Sequence, residues 1–196
     1  MQYYIYSLVC FLLPGTVWLI WNKGMIADKA YKVRHIIWIY IYLFYGYLAV
    51  QEAAGIGTIW DLIAYGKLDN RINLIPFSSE GAMTYILNII MFMPLGFLLP
   101  LIWKNFRNAK KVVLMGFLMS LAIEICQLFN IRTTDIDDLL MNTLGTLVGY
   151  CCWKVFSLIF RNAGTKCVEM KKSESVIYMF GGILGLFLLY NWRVFD

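Results

Sequence analysis

The sequence predicts an all-α, polytopic membrane protein of about six transmembrane helices, a single membrane domain over residues 1–196 with both termini outside. Three observations predict it. The chain is 61% hydrophobic and 15% charged, whereas soluble domains average nearer half apolar. The apolar residues fall into blocks of roughly 20, the length a helix needs to cross the hydrocarbon core. Short basic segments separate the blocks, a mark of membrane topology. That placement also argues against nucleic acid as a partner, despite a net charge of +5.

Span one covers about residues 3–21. No basic n-region precedes it and no small-residue cleavage site follows, so it reads as a true span and not a removable signal. Span two, about 36–54, is rich in aromatics ("IIWIYIYLFYGYL") and ends raggedly at Gln51 and Glu52. The loop over 55–82 carries "TIWDLIAYGKL", which suits a short interfacial helix. "RINLIPFSS" follows, where Pro76 biases Ile75 toward extended backbone. Span three, about 83–103, contains Pro94 and Gly96, which should kink it. Spans four, five and six cover about 112–130, 137–160 and 176–192.

The loops orient the bundle. Twelve Lys and Arg fall in the segments 22–35, 104–111 and 161–175, against four (Lys67, Arg71, Arg132 and Arg193) in the intervening loops and the C-terminal tail. The basic side is expected to be cytoplasmic. Lys154, near an inner helix end, can snorkel.

Two polar stripes stand out at helical spacing. On span four, Gly116, Ser120, Glu124 and Gln127 share a face, and on span five Asp138, Asn142, Gly145 and Gly149 do. The two helices run in opposite directions. Packed together, small residues should face small ones and polar residues polar ones, with the Gly145-x-x-x-Gly149 pair allowing close backbone approach. Asn88 on span three lies at similar depth to Glu124 and Asn142, on the order of 6–10 Å inside the outer end. The expectation is a polar pocket in the outer leaflet lined by Asn88, Glu124, Gln127, Asp138 and Asn142, with Arg132 and Asp135 at its rim. A carboxylate at Glu124's depth is costly unless paired or protonated, and such residues are usually kept for function. Arg132 is its nearest candidate partner.

Plainer readings stand beside these. Asp135 and Asp137 suit the N-terminus of span five as caps. Asn88, Gln127 and Asn142 suit interhelical hydrogen bonds without a ligand. Asp135-Ile-Asp137 is formally a DxD, but alone it is a weak metal signal, and no metal or other cofactor is expected. The five cysteines form no CxxC and pair with no histidine, so neither a disulfide framework nor a zinc site is read. His35, the one histidine, reads as an interfacial residue. Gly181-x-x-x-Gly185 reads as ordinary helix packing. No strands are expected, hence no phosphate-binding loop after a strand. No Ser/His/Asp or Cys/His set assembles on the outer face, so no catalytic residue is assigned.

"NLIPF" (73–77), "NIIMFMPLGFLLP" (88–100), "EICQLF" (124–129) and "RTTDIDDLLMNTLGTLVGY" (132–150), in this order and spacing, resemble the VanZ-like family over residues 73–150. The matching positions are Asn73, Pro76, Asn88, Pro94, Gly96, Glu124, Gln127, Arg132, Asp135, Asp138, Asn142 and Gly145. The resemblance implies an inner-membrane protein of a Gram-positive cell envelope. The family's namesake raises resistance to teicoplanin with little effect on vancomycin, and the family brings no agreed catalytic residues. Teicoplanin carries an acyl tail that places it at the membrane. The implied role is therefore a non-enzymatic protein whose outer-leaflet pocket binds a lipoglycopeptide antibiotic or a cell-wall lipid precursor, with membrane lipids around it. The alternative is an intramembrane enzyme acting on an envelope lipid or lipid carrier, with Glu124 as acid or base and Arg132 holding a phosphate. A transporter is disfavoured, because the polar residues stay in the outer half of the bundle.

Overall fold

A computed structural model describes residues 2–25, 29–65, 72–77, 81–129, 134–160 and 171–195. Seven α-helices account for most of them. Helix α1 spans Gln2–Asn22, α2 Lys29–Tyr47, α3 Ile59–Tyr65 and α4 Ala82–Ile102. Helix α5 spans Ala109–Gln127, α6 Ile136–Ile159 and α7 Glu174–Leu189. Three stretches are long and apolar enough to cross a membrane: Gln2–Asn22, Lys29–Gln51 and Ala82–Ile102. Helices α5, α6 and α7 occupy the positions expected for spans four to six; α7 is apolar but shorter.

Local chemistry sets several boundaries. Asn108 caps α5 by accepting from the Lys110 N–H at 2.9 Å, and Asp135 caps α6 by accepting from the Asp137 N–H at 2.9 Å. Each satisfies a donor that the first helical turn leaves unpaired. Helix α2 continues as a π-helix over Leu48–Ala54 and stops at Gly55, whose φ of 64° suits a residue without a Cβ. This wide turn falls where span two loses its apolar pattern. Helix α3 occupies the segment read as a short helix, and its Trp60 Nε1 donates to the Leu188 carbonyl at 3.1 Å.

No strands were expected, yet Ile72–Asn73 (β1) and Thr134–Asp135 (β2) pair in parallel, Ile72 beside Thr134 and Asn73 beside Asp135. Two residues on each side carry no alternation that a sequence pattern can reveal.

The closest helix pair is α4 with α6, and this corrects the expected packing. Gly145 and Gly149 face α4, not α5. A Cβ on Gly145 would collide with the Ile89 carbonyl, one on Gly149 with the Met93 carbonyl, and one on Gly96 with the Thr146 carbonyl. Helix α5 meets the neighbouring strip of α6, where Gly116 abuts the Thr146 side chain and Ser120 meets Asn142. Successive residues step about 100° around a helix. The small-polar stripe of α6 is thus wide enough to serve two neighbours, its glycine edge taking α4 and its Asn142–Thr146 edge taking α5. Pro94 and Pro100 both lie inside an unbroken α4. On α7 the close approach to α1 is made by Gly182 and Gly185, against Phe11 and the Cys10 carbonyl, while Gly181 has only ordinary contact with Pro14.

His35 is not an exposed interfacial residue. It is 5% exposed, and its Nε2 lies 2.8 Å from Glu174 Oε1. Glu174 also accepts from Trp103 Nε1 at 3.1 Å and from the Tyr178 hydroxyl at 3.3 Å. The cluster clasps α2, the end of α4 and the start of α7. A carboxylate with no exposed surface requires such partners.

Candidate functional site

At the opposite ends of α4 and α6 the polar stripes converge. Glu124, in the last turn of α5, is 5% exposed. Its Oε2 accepts from the Asp135 N–H at 3.2 Å, and its backbone carbonyl accepts from the Thr134 hydroxyl at 3.2 Å. The connection between α5 and α6 therefore folds back onto Glu124. One turn on, Gln127 Nε2 donates to the carbonyl of Ala54, the last residue of the π-helix, at 3.0 Å. Asn142 Nδ2 donates to the Ser120 hydroxyl at 2.9 Å. Asn88 Nδ2 donates to Asp138, joining α4 to α6.

These groups surround a cavity of about 740 Å³. Its polar wall is Thr84, Asn88, Glu124, Gln127, Asp138 and Asn142, and its apolar wall is Ala53, Ala54, Leu87, Ile90, Met91 and Ile123. Five residues expected to share a pocket thus line one cavity. No Lys, Arg or His belongs to the lining among the described residues. Two buried amide oxygens on it, Gln127 Oε1 and Asn142 Oδ1, have no hydrogen-bond partner among the described residues. Buried polar groups without partners are rare and call for an explanation.

Asn73 and Asp135 lie beside the cavity and not on its wall. Asp135 was expected at an open rim, but it is 4% exposed and accepts from Asn73 Nδ2 at 3.0 Å while capping α6. The correction follows from its place in β2, where pairing with β1 brings Asn73 against it. Arg132, expected at the rim and as the partner of Glu124, lies outside the described residues; among those described, no cation pairs with Glu124.

Sequence reasoning left out Asp137 as an organiser of the site. It has no exposed surface, and both its oxygens accept from the Phe77 N–H at 2.9 Å. The Tyr85 hydroxyl donates to it as well, at 2.9 Å. Asp137 thereby clamps the "NLIPF" segment, including Pro76, over the start of α6. Phe77 sits at φ 60°, a left-handed conformation that a non-glycine side chain rarely adopts. Its ring stacks edge-on against Tyr85 at 5.9 Å between centroids. The contribution of Ala53 and Ala54 to the wall, and of the Ala54 carbonyl to Gln127, was also missed; the ragged end of span two at Gln51 and Glu52 was the only signal of it.

Apolar helices enclosing a carboxylate-and-amide cavity define an all-α protein of membrane type with a built polar site. The chain belongs to the VanZ/LLP1 family, which it matches over residues 5–159. It is 36% identical to "Protein VanZ" of Enterococcus faecium over 134 residues, 67% of this chain and 77% of that protein. The family match takes in α1 and α2, beyond the 73–150 segment whose motifs carry the resemblance. No solved structure matches the chain.

Proposed function

We propose that the protein is a six-span component of the bacterial cell envelope whose cavity binds part of a lipoglycopeptide or a cell-wall lipid in the outer leaflet. Both termini face outward, and segments 22–35, 104–111 and 161–175 are cytoplasmic. Binding, without a reaction, lowers the sensitivity of a Gram-positive cell to teicoplanin, the role that family resemblance implies.

The observation that carries this reading is the cavity's division into a wall of carboxylates and amides and a wall of Ala, Leu, Ile and Met. Its volume falls within the range of roughly 300–1,000 Å³ typical of small-molecule sites. An amphiphile has the matching division into polar head and apolar chain. The exposed apolar ridge of α1 (Ile5, Val9, Leu13, Val17) supports a lipid-facing bundle, because so much apolar surface is costly in water. The positions of the basic residues support the orientation.

The enzyme reading keeps one supporting observation, a buried carboxylate on the cavity wall without a cation among the described residues. Both readings are tested by the teicoplanin and vancomycin susceptibility of a sensitive Gram-positive host. The host expresses wild type, Glu124→Gln or Glu124→Ala at matched membrane levels. A binding protein should protect against teicoplanin more than vancomycin, with protection retained in Glu124→Gln and reduced in Glu124→Ala. Loss in both variants favours acid–base chemistry. Equal protection by all three removes Glu124 from the function.

A further inference from the structure

Resting on the reading of the cavity as an amphiphile site, we propose that the head it accepts is a hydrogen-bond donor, best met by a primary ammonium, and not an anionic phosphate. Gln127 carries the inference. Its nitrogen faces the Ala54 carbonyl at 3.0 Å, a partner that only an N–H can satisfy, so the oxygen must be the atom left over. That oxygen is buried on the cavity wall without a donor among the described residues. Asn142 adds a second such oxygen, its nitrogen lying on the Ser120 hydroxyl and its oxygen buried without a partner among the described residues. The Asp138 carboxylate lines the same cavity as Glu124.

Apart from the Thr84 hydroxyl, the described wall thus presents carboxylate and amide oxygens as acceptors, and no cationic side chain. A phosphate head would bring more acceptors and negative charge to a wall that already has both. A primary ammonium brings three N–H donors and the opposite charge. Orphaned acceptors explain selectivity as well as binding, because a site built to meet a donor discriminates strongly against a head that lacks one.

The test uses the full-length protein in nanodiscs of phosphatidylcholine, whose head carries neither N–H nor O–H. Dodecylamine, dodecyltrimethylammonium and dodecyl phosphate are titrated calorimetrically, with empty nanodiscs subtracted. Dodecylamine should bind most tightly. Gln127→Leu should weaken dodecylamine about tenfold or more, the worth of one hydrogen bond to a charged group, and leave the other two nearly unchanged. Asn142→Ala supplies the same comparison if Gln127→Leu does not fold. Dodecyltrimethylammonium binding as well as dodecylamine would overturn the donor requirement, leaving charge alone. Dodecyl phosphate binding as well or better, with sensitivity to either variant, would overturn the inference and leave the amphiphile site standing. Binding of all three that ignores both variants would overturn the amphiphile reading too.

Discussion

Replacing Gly149 by Ala should unseat α6 from α4. A Cβ at Gly149 would lie 2.8 Å from the Met93 carbonyl carbon and 3.0 Å from its Cα, closer still to the carbonyl oxygen. Ordinary contact begins near 3.4 Å, so the helices must part by about 0.6 Å, the gap between 2.8 Å and 3.4 Å, or more. The obstacle is backbone, so no side chain can swing aside. Forcing an extra carbon into a packed interface costs about 1–3 kcal/mol. Alanine returns about 1 kcal/mol through its better helix propensity. Because the clash is with backbone, the cost falls at the upper end of that range, and the net loss should be about 2 kcal/mol, with α4 and α6 carrying Asn88 and Asp138 apart. Gly181→Ala is the matched control, because its Cβ would sit 3.5 Å from Pro14 Cβ, an ordinary contact. It should be neutral or slightly stabilising. Thermal unfolding of detergent-solubilised protein, followed by fluorescence-detected size exclusion, reads both. Equal melting of Gly149→Ala and Gly181→Ala would refute the close α4–α6 seam.

Three further outcomes are expected. His35→Ala should destabilise the protein by about 3 kcal/mol, because it leaves Glu174 buried without one of its partners; Glu174→Gln should cost less, and thermal melting in micelles ranks the two. Asp137→Ala should free the Phe77 N–H and the Tyr85 hydroxyl, on the order of 2 kcal/mol, and limited proteolysis should then cut within 72–77 faster than in wild type. Alkaline phosphatase fused after Arg107 should be inactive, and fused at the C-terminus active; the reverse pattern would invert the proposed orientation.

The helices were legible because an apolar block of sufficient length and a 3.6-residue period are local properties. Glu124, Gln127, Asp138 and Asn142 could be brought together on paper because each lies on a stripe whose depth follows from the rise per residue. What periodicity cannot give is the identity of the neighbour. The Gly145–Gly149 edge is small, and nothing in its spacing says that it meets α4 and not α5. The clasp of His35 on Glu174 joins residues 139 apart in sequence, and the Asn73–Asp135 pair joins residues 62 apart. Both depend on tertiary folding. Asp137 was read as a helix cap because its position in the first turn suits one, while its real partners lie in a loop and on α4. The π-helix was hidden for a different reason: its residues are ordinary, and the wide turn shows only as a broken apolar pattern near Gln51.

The most direct test of the cavity as an amphiphile site is photocrosslinking in living Gram-positive cells. Benzoylphenylalanine is placed at Leu87 or Ile90, on the cavity's apolar wall, and at Leu184, exposed on α7. Adducts are identified by mass spectrometry, with and without teicoplanin. A cell-wall lipid or lipoglycopeptide adduct at Leu87 and Ile90, absent at Leu184, is the expected result. The same bulk phospholipids at all three positions, with nothing specific to the cavity, would contradict it.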